Sequence, residues 1–91
     1  MSQESTVYIG EKPASTYVLE VLTLLKKGAK KLTVKARGHN ISKAAEVTES
    51  IKRMTGDKVS YGQIKLYSEE VGEEAKEKSV PVIEIEIISH L

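Results

Sequence analysis

Apolar residues recur along this chain in two rhythms, near every second position in some stretches and near every third or fourth in others. Thr6-Val7-Tyr8-Ile9 is short, β-branched and aromatic and stops at Gly10, which predicts a strand. Pro13 suits a helix start, because its missing N–H costs nothing in the first turn. Across residues 14–27, Val18, Val21, Leu22 and Leu25 form one helical face. Leu19 and Leu24 widen that face and predict burial on more than one side. Gly28 is placed to end the helix in the left-handed conformation, with Lys26 and Lys27 against the negative end of the dipole. Residues 31–35 alternate polar and apolar as a half-buried strand does, and Ala36-Arg37-Gly38-His39 reads as the turn out of it. Asn40 is the expected N-cap of a second helix reaching about Met54, with Ile41, Ala44, Ala45, Thr48 and Ile51 as its apolar stripe. Gly56-Asp57 breaks that helix.

Residues 59–67 read as a third strand. Residues 80–89, with Glu84 and Glu86 set among Val82, Ile83, Ile85, Ile87 and Ile88, read as a fourth. The intervening residues 68–79 are polar and too numerous for a tight turn, so they predict a mobile loop tipping an extended hairpin. Residues 1–5 are expected to be a flexible N-terminus. The element order βαβαββ describes one domain over residues 1–91, an α/β (α+β) two-layer sandwich. A right-handed crossover makes the first two strands parallel and puts both helices on one face of a four-stranded mixed sheet. The other face is exposed or covered by another subunit.

Composition narrows the chemistry. The chain's 91 residues include no Trp or Phe and only four Tyr, so the core must be aliphatic and stacking platforms for bases are scarce. The absence of Cys removes disulfides, thiolate metal sites and Cys nucleophiles. His39 and His90 are too few and too far apart for an ordinary zinc site. No apolar run approaches the roughly 20 residues that cross a bilayer, and the first six residues lack the marks of a secretion signal. A soluble, intracellular protein is expected, without metal, cofactor, membrane or small-molecule substrate.

The net charge of +1 hides an asymmetry: residues 1–45 carry eight basic and three acidic groups, whereas residues 46–91 carry six basic and ten acidic. That division offers one surface to an anionic partner and keeps another acidic. No Gly-Lys-Ser/Thr phosphate loop, GxGxxG run or plausible triad is present, so an enzyme is not expected. One constellation stands out. Lys12-Pro13 follows the first strand, and Lys35-Ala36-Arg37-Gly38-His39 follows the second. In a parallel pair both connections emerge at the C-terminal ends of the strands, beside two helix N-termini with unpaired N–H groups. Lys12, Lys35 and Arg37 supply charge, Gly38 permits close approach, and Asn40, Ser42 and Lys43 can reach the same rim. This arrangement suits a sugar–phosphate backbone and offers nothing to read base edges. Lys26, Lys27, Lys30 and Lys31 lie at the opposite end, as partners of a helix terminus or as a secondary contact. Lys76 and Lys78 sit in an acidic loop with Glu69, Glu70, Glu73, Glu74 and Glu77.

The segments Val7-Tyr8-Ile9-Gly10-Glu11-Lys12-Pro13, Tyr17-Val18-Leu19, Leu22-Thr23-Leu24-Leu25 and above all Lys35-Ala36-Arg37-Gly38-His39-Asn40-Ile41-Ser42-Lys43-Ala44 resemble the archaeal chromatin protein family Alba. Ile83-Glu84-Ile85 is similar to the family's last strand. The resemblance implies a fold like an initiation factor's C-terminal domain. It also implies a cytoplasmic, chromosome-associated dimer that coats or compacts double-stranded DNA, and often RNA, with little sequence preference. Its lysines after the first strand would follow the phosphate backbone, and the hairpin arms with Lys76 and Lys78 would reach flanking minor grooves. A homodimer is expected, with a heterodimer with an Alba paralogue as the alternative. Three departures point to weaker or differently organised binding. Glu11-Lys12 replaces a lysine pair, His39 stands where arginine is frequent, and no aromatic ends the second helix near Met54. His39 is expected to strengthen binding as the pH falls. The contrasting hypothesis is a structural or regulatory module that associates with protein through its second helix and last strands.

Overall fold

The computed structural model describes residues 4–71 and 78–91. Its elements are β1 (Glu4–Tyr8), α1 (Ala14–Lys26), β2 (Lys31–Arg37), a 3₁₀ turn (Gly38–Asn40), α2 (Ile41–Met54), β3 (Val59–Val71) and β4 (Lys78–Ser89). The lateral strand order is β1-β2-β4-β3. β1 runs parallel to β2 with Val7 beside Val34, and β4 lies antiparallel to both β2 and β3. The βαβαββ mixed sheet expected from the pattern is the fold observed.

Alternation explains which face is buried. Leu32, Val34 and Ala36 of β2 are buried with Val7, Ile85 and Ile87, and the intervening Lys31, Thr33 and Lys35 point to the opposite face. Tyr17, Val21 and Leu25 of α1 and Ala44, Val47 and Ile51 of α2 complete one hydrophobic cluster, aliphatic but for the Tyr17 ring. Full burial of a side chain such as Leu32 or Ile51 contributes about 1.5–3 kcal/mol, so this single layer supplies most of the cohesion. α1 ends where the glycine punctuation predicts. Gly28 has φ +103°, its N–H donates to Leu25 O at 3.0 Å, and Ala29 N–H donates to Leu24 O at 3.1 Å.

Several expectations need correction. β1 begins at Glu4, which pairs with Lys31, so Glu4 and Ser5 belong to the sheet and not to a loose terminus. Ala36 and Arg37 extend β2 opposite Ile83 and Val82, because the buried alternation runs on through a small side chain. The α2 stripe is Ala44, Val47, Thr48 and Ile51, and Ala45 is exposed. Leu19 is 66% exposed and does not widen the buried face of α1, whereas Leu24 is partly buried against the core. Residues 68–71, expected in the loop, continue β3 and pair with Pro81, Val80, Ser79 and Lys78 of β4. Out on the hairpin both faces meet water, so polar residues remain compatible with strand pairing.

β3 departs from a regular buried strand in two ways. Its register shifts between Tyr61 and Ile64, where Gln63 N–H donates to Glu86 Oε1 at 3.0 Å and a Cβ on Gly62 would collide with that carboxylate. Beyond the shift, Ile64 and Leu66 share the helix-side face with Ile85 and Ile83 but stand 52% and 71% exposed, beside Tyr61 at 40%.

Candidate functional site

The β1–α1 loop and the β2–α2 turn are fastened to each other at one end of the sheet. Ile9 N–H still donates to Lys35 O at 2.8 Å, so the chain leaves β1 alongside the end of β2. The buried Tyr17 then reaches back from α1, and its hydroxyl accepts from Gly10 N–H at 2.9 Å and Lys12 N–H at 3.2 Å. From α2, Lys43 Nζ donates to Gly10 O and to Lys12 O, both at 2.7 Å. Glu11 closes the contact: its Oε2 accepts from His39 Nε2 at 2.9 Å and Asn40 Nδ2 at 3.2 Å. The Asn40 and His39 hydrogen bonds hold the Glu11 carboxyl below its ordinary pKa.

Each expected residue now has a place. Lys12 is exposed at the crest of the loop and, among the described residues, has no side-chain ion pair. Gly38 begins the 3₁₀ turn at φ +55°, which a side-chain-bearing residue adopts only with strain. Asn40 precedes α2 as expected but does not cap it. Its backbone is helical at φ −85°, ψ −1°, and its amide goes to Glu11. Ser42 is exposed in the first turn of α2. Lys43 lies in the right place, but its ammonium is committed to two carbonyls and acts as a staple. Lys78 opens β4 opposite Val71, and Lys76 lies outside the described residues.

Lys35 and Arg37 extend to the sheet face away from the helices, and each meets a carboxylate. Arg37 Nε donates to Glu69 Oε1 at 2.7 Å. That bond raises the arginine's pKa and lowers the glutamate's, the latter against partial burial. Lys35 Nζ lies 3.7 Å from Glu84 Oε2, and the Tyr67 hydroxyl donates to the same oxygen. Partial burial disfavours the lysine's charge, yet Tyr67, Glu84 and Glu69 together hold its pKa above the ordinary value. Further along this face Lys31 Nζ stands 3.6 Å from Glu86 Oε2.

The rim therefore sets Lys12, Lys35, Arg37 and Lys43 against Glu11, Glu69 and Glu84, and the excess of cation is small. Glu69 and Glu84 are distant in sequence from the cations they meet, and residue spacing gives no sign of them. Tyr17 lies outside the helical face that the apolar spacing predicts, yet it is buried and its hydroxyl holds the loop. Two helix starts face the same end. Neither carries an acidic residue in its first turn or a side-chain cap, and the Glu11 carboxylate stands beside the start of α2 through Asn40.

Comparison with known proteins agrees with this geometry. Residues 5–68 match the family model described as Alba. The protein of Nanoarchaeum equitans (strain Kin4-M) named DNA/RNA-binding protein Alba is 41% identical over 85 residues, covering 90% of this chain and 94% of its own. A protein of the same name from Thermoplasma acidophilum is 38% identical over 85 residues, covering 93% and 96% respectively. Among solved structures, Alba from Thermoplasma volcanium superimposes with a TM-score of 0.85 at 35% identity, over 91% of this chain and 98% of that one. With a family model spanning both loops of the rim and relatives that align over nine-tenths or more of both chains, this chain belongs to the Alba family.

Proposed function

We propose that this protein binds nucleic acid through the sugar–phosphate backbone, double-stranded DNA first and RNA by the same means, without reading sequence. The observation that carries this reading is the fastening of two loops at one rim. Tyr17, Lys43 and Glu11 hold the loop of Lys12 against the turn of His39 and Asn40, next to two uncapped helix starts. A preorganised group of N–H donors and cations suits a phosphate, and nothing in the group is shaped for base edges. The relatives' names, DNA/RNA-binding protein Alba, support the same reading. A backbone-directed surface of this kind acts on chromosomal DNA as a coating protein.

The dimer belongs to the same proposal. Tyr61, Ile64 and Leu66 form an exposed apolar strip on the hairpin, continuous with the core face but beyond the cover of α2. A second copy would cover that strip and double the number of phosphate contacts. A homodimer fits this strip, since each copy offers the same apolar residues to the other.

The test is a salt titration of affinity on two unrelated duplexes and one structured RNA. Log affinity should fall linearly with log salt, by about 0.9 per phosphate neutralised on duplex DNA. Lys12→Ala should flatten that slope by about one contact on every sequence. An unchanged affinity and slope for Lys12→Ala would move the binding surface away from this rim.

A further inference from the structure

Among the described residues, four cations with no carboxylate partner lie at the other end of the molecule. Lys26 and Lys27 end α1, Lys30 leads into β2, and Lys58 follows α2; all four are exposed. The backbone locks their segments together. Ser89 N–H donates to Lys30 O at 2.9 Å and His90 N–H to Lys58 O at 2.8 Å. Lys26 and Lys58 flank an open cleft of about 560 Å³ floored by Leu22, Leu25 and Met54. Lys30 Nζ reaches toward Leu91 O at its edge, 3.5 Å away. Among the described residues, none of these four makes an ion pair with a carboxylate side chain. That contrasts with Lys35 and Arg37 at the rim, each of which does.

The simplest structural role for such lysines is to satisfy the carbonyls of a helix end. Here that role is already taken. Lys27 N–H donates to Thr23 O and Leu24 O at 3.1 Å, and the backbone N–H groups of Gly28 and Ala29 complete the cap. The Lys26, Lys27 and Lys58 ammonium groups are left facing water, and Lys30 Nζ donates only to Leu91 O beside them. The two ends lie at either end of α1, 13 residues or about 20 Å apart. That exceeds a Debye length of about 8 Å at physiological salt, so a polyanion held at one end leaves the other's field intact.

We infer that Lys26, Lys27, Lys30 and Lys58 form a second phosphate-backbone surface, which engages a second segment of duplex DNA while the rim holds the first. The inference takes the rim as the first contact from the proposed function, and the experiment separates the two.

One duplex is anchored to beads, the full chain is bound to it at low salt, and capture of a second, fluorescent duplex of unrelated sequence is measured. Wild type is compared with Lys26→Ala/Lys27→Ala/Lys58→Ala, with the same three positions changed to Arg, and with Lys12→Ala. Losing three phosphate contacts should cut second-duplex capture by roughly tenfold or more. Affinity for a single short duplex should change less than about threefold, and the Arg variant should capture as wild type does. Wild-type capture by the triple Ala variant overturns the inference, because the bridging then comes from paired rims in a dimer. Capture blocked equally in the Ala and Arg variants also overturns it, since charge is then not what matters. Displacement by polyglutamate, with no second duplex bound by wild type, assigns the surface to an acidic protein and overturns the nucleic-acid occupant. Loss of first-duplex binding in the triple variant but not in Lys12→Ala would leave this surface standing and remove the rim.

Discussion

The hydroxyl of Tyr17 offers the most direct test of how the rim is held. Tyr17→Phe keeps the buried ring and removes one oxygen, the acceptor for Gly10 N–H at 2.9 Å and Lys12 N–H at 3.2 Å. Both amides are partly buried, so water can replace some of what is lost. A net 0.5–1.5 kcal/mol for each bond gives about 1–3 kcal/mol in total. For a domain of this size that lowers Tm by roughly 4–8 °C per kcal/mol. The loop would remain tethered by Lys43, whose bonds to Gly10 O and Lys12 O do not involve Tyr17. Lys12 should therefore be loosened without being displaced. Ordering it again on binding would cost about 0.5–1.5 kcal/mol, a weakening of roughly two- to tenfold. Thermal unfolding followed by circular dichroism, with a duplex titration at one fixed salt, measures both effects. A variant that melts within about 1 °C of wild type, against the shift expected from the bond count, and binds DNA as tightly would refute the idea that this hydroxyl organises the loop.

Glu69→Gln releases Arg37 from its carboxylate, and duplex affinity should rise while the salt slope steepens by up to about 0.9, one phosphate's worth. Weaker binding by that variant would mean that Glu69 positions Arg37 for the ligand. Acid should loosen the rim. The Glu11 and Glu69 carboxyls are depressed in the folded state, so their stabilisation is present above the ordinary carboxylate range and is lost as the pH falls below about 4.3. Glu11→Gln should show a shallower loss of Tm between pH 5 and 3 than wild type, and an identical profile would count against that role. Ile51→Ala, at a fully buried position of α2, should cost about 2–5 kcal/mol in a urea titration, and a loss below 1 kcal/mol would place Ile51 outside the cooperative core.

The fold was legible wherever local chemistry and burial agree. Alternation through Leu32 and Val34, the glycine stop at Gly28 and the proline start at Pro13 each depend on near neighbours in the chain, and all three stand. Ala36 misled because a methyl group carries little apolar signal, although at β2's end it is as buried as its larger neighbours. The meeting of the two loops was legible too, since parallel strands force it. What each cation does there was not. Lys43 reads as a rim charge on its helix, and becomes a staple only because a loop some 30 residues earlier presents two carbonyls to it. Arg37 reads as free until the hairpin brings Glu69 across the sheet. Asn40 reads as a cap because asparagine favours that task, and the nonlocal Glu11 takes its amide instead. Such partners arise from tertiary folding, and spacing along the chain carries no record of them.

β3 is the outermost strand of the sheet on its side, and exposed Ile64 and Leu66 lie along it. A long, flat edge with apolar side chains is a template on which foreign strands add and fibrils grow. The register shift at residues 62–63 breaks that flatness, turns Gln63 N–H inward to Glu86, and increases local twist. An incoming strand cannot stay in step across the break, and Lys65, Glu69 and Glu70 add charge on its far side. The irregularity thus guards the protein against self-templated aggregation.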